Sequence, residues 1–142
     1  MTWAQFLERF RHVGADLDTY VAGLPPWVNV WRGWMFLLFT MVLVFVFRKT
    51  EARWLALVMV VSLFAYNVIS AISGVGRFPS IAFVALWTPL FLHFVRRVPL
   101  MKAESRFDRL YLRWARAIVL TLGTSVAFDA YNVAYSVVRG AP

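Results

Sequence analysis

Apolar residues along this chain fall in four long runs separated by short polar links, not in the strict alternation of half-buried strands. The runs extend over Pro26–Phe47, Trp54–Ser73, Pro79–Val95 and Trp114–Val138. A hydrocarbon layer about 30 Å thick takes roughly 20 helical residues to cross, and each run is near that length. Backbone amides in lipid must be satisfied within their own segment, so the runs predict four transmembrane helices. Continuous apolarity with no period of two argues against the strands of a membrane barrel. The links hold polar residues and breakers. "RKTEAR" (Arg48–Arg53) closes a first helical hairpin, and "GVGRFP" (Gly74–Pro79) carries the second run into the third.

Ahead of the runs, Trp3, Phe6, Leu7, Phe10, Leu17, Tyr20, Val21 and Leu24 recur at helical spacing. Glu8, Arg9, Arg11, Asp16 and Asp18 fall mostly on the other side. That pattern predicts an amphipathic helix along the outer membrane boundary or against the other helices. The acidic residues interrupt any signal-peptide core, and "GLPP" (Gly23–Pro26) then turns the chain into the bilayer. The expected architecture is an all-α integral membrane protein. It comprises an interfacial segment over 1–25 and a four-transmembrane-helix bundle of two hairpins over 26–142.

Two local signals refine the picture. Ser105 and Asp108 have the spacing of a capping box. Phe107, Leu110, Tyr111 and Trp114 then continue an apolar stripe into the fourth run. The fourth helix should therefore begin near Arg106 and measure about 50 Å, longer than a membrane is thick. In "LWTPL", Pro89 frees the carbonyl of Ala85 and predicts a kink in the third helix.

Composition agrees with the membrane reading: 61% of the residues are hydrophobic and 15% charged. The absence of cysteine excludes disulfides, thiol nucleophiles and Cys-ligated metal centres. A net charge of +8 would suggest nucleic acid in a soluble protein. Here the basic residues cluster between the runs, so topology explains them and no nucleic-acid partner is expected. Of the 15 Lys and Arg, ten lie in or beside the first and third links (Arg48, Lys49, Arg53, Arg96, Arg97, Lys102, Arg106, Arg109, Arg113 and Arg116). The other five are Arg9, Arg11, Arg32, Arg77 and Arg139. The positive-inside rule then places the first and third links in the cytoplasm and both termini outside. Trp27, Trp31 and Trp34 read as an outer aromatic belt. Trp54 and Trp114, each after an arginine, read as an inner one.

One residue resists this frame. Asp129 is the only acidic residue within a run, and it lies roughly 13 Å below the outer end of the fourth helix. A charge at such depth costs at least about 2.5–3.5 kcal/mol, so it faces protein or water. Ser125, Asp129, Asn132 and Ser136, spaced four, three and four apart, make one polar face. The second run has its own polar positions at Tyr66, Asn67, Ser70 and Ser73. The tetrapeptide "AYNV" occurs in both, at Ala65–Val68 and Ala130–Val133, which suggests a parallel duplication of hairpins.

Asparagines and serines in membrane helices often serve only to join helices, at about 0.6 kcal/mol each. For Asp129 three roles stand: pairing with Arg32 or Arg139, holding a proton, or lining a watery cavity. The first is structural, and the other two make an ion, proton or small-solute site of Asp129, Asn132, Asn67, Tyr66, Tyr131, Ser125 and Arg32. No metal site, cofactor or catalytic residue is expected. His12 and His93 fall on opposite sides of the membrane, and no Ser–His–Asp relay or phosphate loop can be assembled. The alternative class is an accessory subunit whose polar groups hold a partner. In either class the protein is expected to work as a homo-oligomer or within a larger membrane complex.

"RKTEARW" (Arg48–Trp54) and "LWTP" (Leu86–Pro89) resemble segments of small, uncharacterised four-span proteins of the bacterial inner membrane. The resemblance covers about the first three spans. It implies that location and no activity.

Overall fold

The computed structural model of the chain describes residues 1–140. Ala141 and Pro142, the last positions of the expected 26–142 domain, lie outside the described residues. Among the described residues every regular element is helical. In order they are α1 (Trp3–Ala22), α2 (Pro26–Thr40), the short α3 (Val42–Phe45) and α4 (Thr50–Ser73). A 3₁₀ turn (Phe78–Ser80), α5 (Ile81–Arg97), a second 3₁₀ turn (Val98–Leu100) and α6 (Arg106–Arg139) follow. Four stretches are long and apolar enough to cross a membrane: Pro26–Phe45, Thr50–Ser73, Phe78–Leu100 and Arg106–Arg139. This is the pattern of a multi-pass membrane protein.

The helix starts follow from local chemistry. Thr2 and Gln5 cap α1 reciprocally, the Gln5 side chain accepting from the Thr2 N–H at 2.9 Å. Pro26 opens α2, where a missing N–H costs nothing. The expected box at α6 is present: the Asp108 N–H donates to Ser105 Oγ at 3.0 Å, and the Ser105 N–H to Asp108 Oδ2 at 3.1 Å. The helix therefore starts at Arg106, as the pattern predicts.

The first span departs from expectation, being broken at Met41 and ending at Phe45 rather than Phe47. No proline or glycine causes the break. The Thr40 hydroxyl donates to the carbonyl of Phe36 at 2.7 Å, a back-bond that bends helices. A carbonyl exposed by an interrupted ladder needs a donor in an apolar setting. The Leu38 carbonyl receives one from the indole of Trp114, at 2.9 Å. Trp114 is only 3% exposed, so it is a core residue and not the inner-interface marker expected from its place after Arg113. Trp54, in the same sequence context, is 54% exposed, as a belt residue would be.

Two further indoles join helices in the same way. Trp87 on α5 donates to Ser62 Oγ on α4 at 2.9 Å, and Trp34 on α2 donates to Thr121 Oγ1 on α6 at 3.1 Å. Trp34, expected in an outer aromatic belt, thus makes a helix contact. The helix α5 runs through Pro89 without a break. It packs tightly on α6 at Gly123, where a β-carbon would lie 3.0 Å from the Phe91 ring.

The packed core is uneven along the length of the helices. Phe45 is fully buried, with the rings of Phe107, Tyr111 and Trp114 at centroid distances of 5.4, 5.2 and 4.9 Å. Leu55, Phe94 and Ile118 complete this plug. All of these sit toward the end of the molecule that holds the first and third links. The links themselves are tied together there: Lys49 Nζ meets Asp108 Oδ1 at 2.6 Å, and Arg97 meets Glu51 at 3.6 Å. The two links therefore share a side.

At the other end, α1 packs across α4. Val13 is buried, and the Phe10 ring lies 6.3 Å from that of Phe64. Gly74 ends α4 at φ 90°, a conformation open to glycine alone among common residues.

Candidate functional site

Apart from the Tyr111 hydroxyl, which is buried in the aromatic plug without a partner among the described residues, the buried polar side chains lie away from it. Ser62 and Ser70 on α4, and Thr121, Ser125 and Ser136 on α6, are all buried. Starting at mid-span, they run toward the end formed by Gly74–Ser80 and Arg139. A hydroxyl in an apolar interior needs a partner, and most of these find one nearby. Ser62 donates to the Val58 carbonyl at 2.6 Å, Ser136 to the Asn132 carbonyl at 2.9 Å, and Ser125 toward Met35 Sδ at 3.3 Å. The Ser70 hydroxyl is buried with no partner among the described residues.

Asp129 stands among them. The spacing argument holds geometrically, because Ser125 and Ser136 are buried and Asp129 and Asn132 half-buried, so the polar face of α6 turns inward. The 3₁₀ turn before α5 lies against that face. From this turn Ser80 presents its side chain to the Asp129 carboxyl. Across the interior, Tyr66 on α4 is buried and its ring packs 5.4 Å from that of Phe83. Ser70 lies one turn further along α4.

Among the described residues Asp129 makes no ion pair. Among the described residues the ion pairs within 4 Å are Lys49–Asp108 and Arg97–Glu51. Arg139, one of the two partners considered from sequence, lies over the Tyr135 ring at 5.0 Å, and Arg77 lies over the same ring at 4.6 Å. Arg32, the other, is exposed on α2.

Of the seven residues expected at the site, Tyr66 and Ser125 are buried, and Asp129 and Asn132 are half-buried. Asn67 instead donates to the Leu63 carbonyl of its own helix at 2.7 Å. Tyr131 is 60% exposed and packs on Tyr135 at 6.2 Å. The two "AYNV" copies are therefore unlike in setting, since Tyr66 is only 8% exposed. Ser80 was not expected. It sits in a link, where a serine reads as turn chemistry.

The arrangement sets the half-buried Asp129 carboxyl beside the Ser80 hydroxyl, on a helix face that also carries the buried Ser125 and Ser136. Such a set can hold a proton, a small cation or a polar group with donors. Comparisons with family models, with curated proteins and with solved structures found no match, so the reading of this site rests on its own geometry.

Proposed function

We propose that the chain is a small inner-membrane protein with an outward-facing polar site around Asp129 that binds a proton or small cation. It acts in sensing or in ion, proton or small-solute permeation as an oligomer. One observation carries this reading: among the described residues Asp129 has no ionic partner, while Ser80 lies beside its carboxyl. A carboxylate kept in a span without a counter-charge is costly to retain for packing alone.

The aromatic plug adds a constraint. Phe45, Phe94 and Ile118 fill the interior below the hydroxyls, so a path through one copy would have to displace a close-packed core. Permeation would then run between copies, and sensing needs no path. The segment α1 is assigned to the outer membrane boundary in this reading, with its apolar side on α4.

The test is Asp129→Asn, which keeps the shape and most hydrogen bonds but cannot ionise. In liposomes the variant should lose pH- or cation-dependent uptake or binding, while its melting temperature stays close to that of the parent. Equal uptake and equal stability would remove the site. A stability loss of about 3–5 kcal/mol would instead identify half of a buried ion pair.

The second reading is a non-catalytic accessory subunit. The observation favouring it is the exposure on α2 of Asn29, Arg32 and Gly33, polar or small groups facing away from the molecule within a span. Crosslinking in native membranes to one distinct partner, with no self-crosslink, would select it.

A further inference from the structure

The other end of the molecule carries a surface that the Asp129 site does not use. Between the end of α5, the turn after it and α6 runs a groove of about 370 Å³. Val95, Val98, Pro99, Val119 and Leu120 line it, and Arg116 is the one charged residue among them. The groove opens outward, since Leu120 is 73% exposed. In a membrane that side meets lipid.

Arg116 is also the last of a row. Arg106, Arg109, Arg113 and Arg116 are spaced three, four and three apart, which places them on one face of α6. All four are exposed, and none takes part in the ion pairs found among the described residues. The row leads along the helix into the apolar groove. A ligand that fits both parts must carry an anionic head and an apolar tail, in that order along the membrane normal.

We propose that the groove and the arginine row form a binding site for an anionic phospholipid of the adjoining leaflet. Arg113 and Arg116 hold the phosphate, and one acyl chain lies along Val95, Val98 and Val119. Guanidinium groups suit the task, because two N–H donors of one fork meet two phosphate oxygens. A zwitterionic lipid brings its own cation to the same place and gains less.

The test titrates the full-length protein in a neutral detergent with dioleoyl phosphatidylglycerol, read by native mass spectrometry. Dioleoyl phosphatidylcholine serves as the comparison lipid. The anionic lipid should bind about tenfold more tightly or better. Each arginine near the surface is worth about a factor of five, so the double change Arg113→Gln with Arg116→Gln should weaken binding roughly 25-fold. Arg116→Lys, which keeps the charge, should retain most of it. Val119→Trp fills the groove, leaves every charge in place and should also weaken binding. If that variant does not fold, Leu120→Asn at the exposed rim replaces it.

Equal binding of the two lipids overturns the proposal. So does undiminished binding to the groove variant, which would mean general charge attraction. Full displacement of the lipid by soluble glycerol phosphate or by polyglutamate also overturns it, in favour of a headgroup-only site or an acidic protein partner.

Discussion

Trp114 and Trp54 follow arginine in the same way, yet one is core and the other surface. The difference lies in what each indole N–H can reach. Trp114 supplies the donor that the Leu38 carbonyl lacks at the break in the first span, at 2.9 Å. Removing that donor leaves a buried carbonyl unpaired, at a cost of about 1–3 kcal/mol, and the smaller ring adds a packing loss. Trp114→Phe should therefore lower the melting temperature in mild detergent by several degrees, and Trp54→Phe by almost nothing. Equal effects would mean that both rings are merely belt residues and that the Leu38 bond is incidental. The same logic separates Asp108 from Asp129. The Asp108 carboxylate accepts from the Ser105 N–H at the start of α6 and pairs with Lys49, so its charge is used twice in structure. Asp129 has neither use, which is why the functional reading falls on it.

At the scale of elements, the four spans were legible because the length of an apolar run and its flanking breakers are properties of neighbouring residues. The start of α6 was legible too, since Ser105 and Asp108 satisfy each other within one turn. The break at Met41 was not. It depends on a threonine back-bond and on an indole 76 positions away in sequence. The inward face of α6 could be read from spacing, but its partner Ser80 could not, because contacts between a link and a helix leave no periodic mark. The unlike settings of Tyr66 and Tyr131 likewise depend on which neighbours pack against each helix. Close approach is testable at one such contact. A β-carbon at Gly123 would lie 3.0 Å from the Phe91 ring. Gly123→Ala gains up to about 1 kcal/mol of helix propensity, which a small shift of the ring offsets. Gly123→Val should instead cost about 1–3 kcal/mol, and adding Phe91→Leu should recover much of it. Strictly additive effects would show that the ring is not what limits that helix pair.

For the whole molecule, the polarity gradient and the charge bias point along the same axis. The aromatic plug and the ion pairs Lys49–Asp108 and Arg97–Glu51 occupy the end with the first and third links. The hydroxyls and Asp129 occupy the end with Gly74–Ser80 and Arg139. Ten of the 15 basic residues lie at the plugged end, which the positive-inside rule assigns to the cytoplasm. A chain without cysteine allows a clean test by single substitution and an impermeant maleimide on intact cells. Asp18→Cys and Gly140→Cys, both at exposed positions, should label from outside. Thr50→Cys and Ala103→Cys, also exposed, should label only after the membrane is opened. The two halves of the result answer different questions. The Lys49–Asp108 contact of 2.6 Å requires the links to share a side, so Thr50→Cys and Ala103→Cys must behave alike whichever way the protein is inserted. If those two differ, the helix arrangement itself is wrong. If they agree but label from outside, the arrangement stands and the orientation is inverted. Asp129 would then face the cytoplasm, and the liposome test would have to supply its ion from that side.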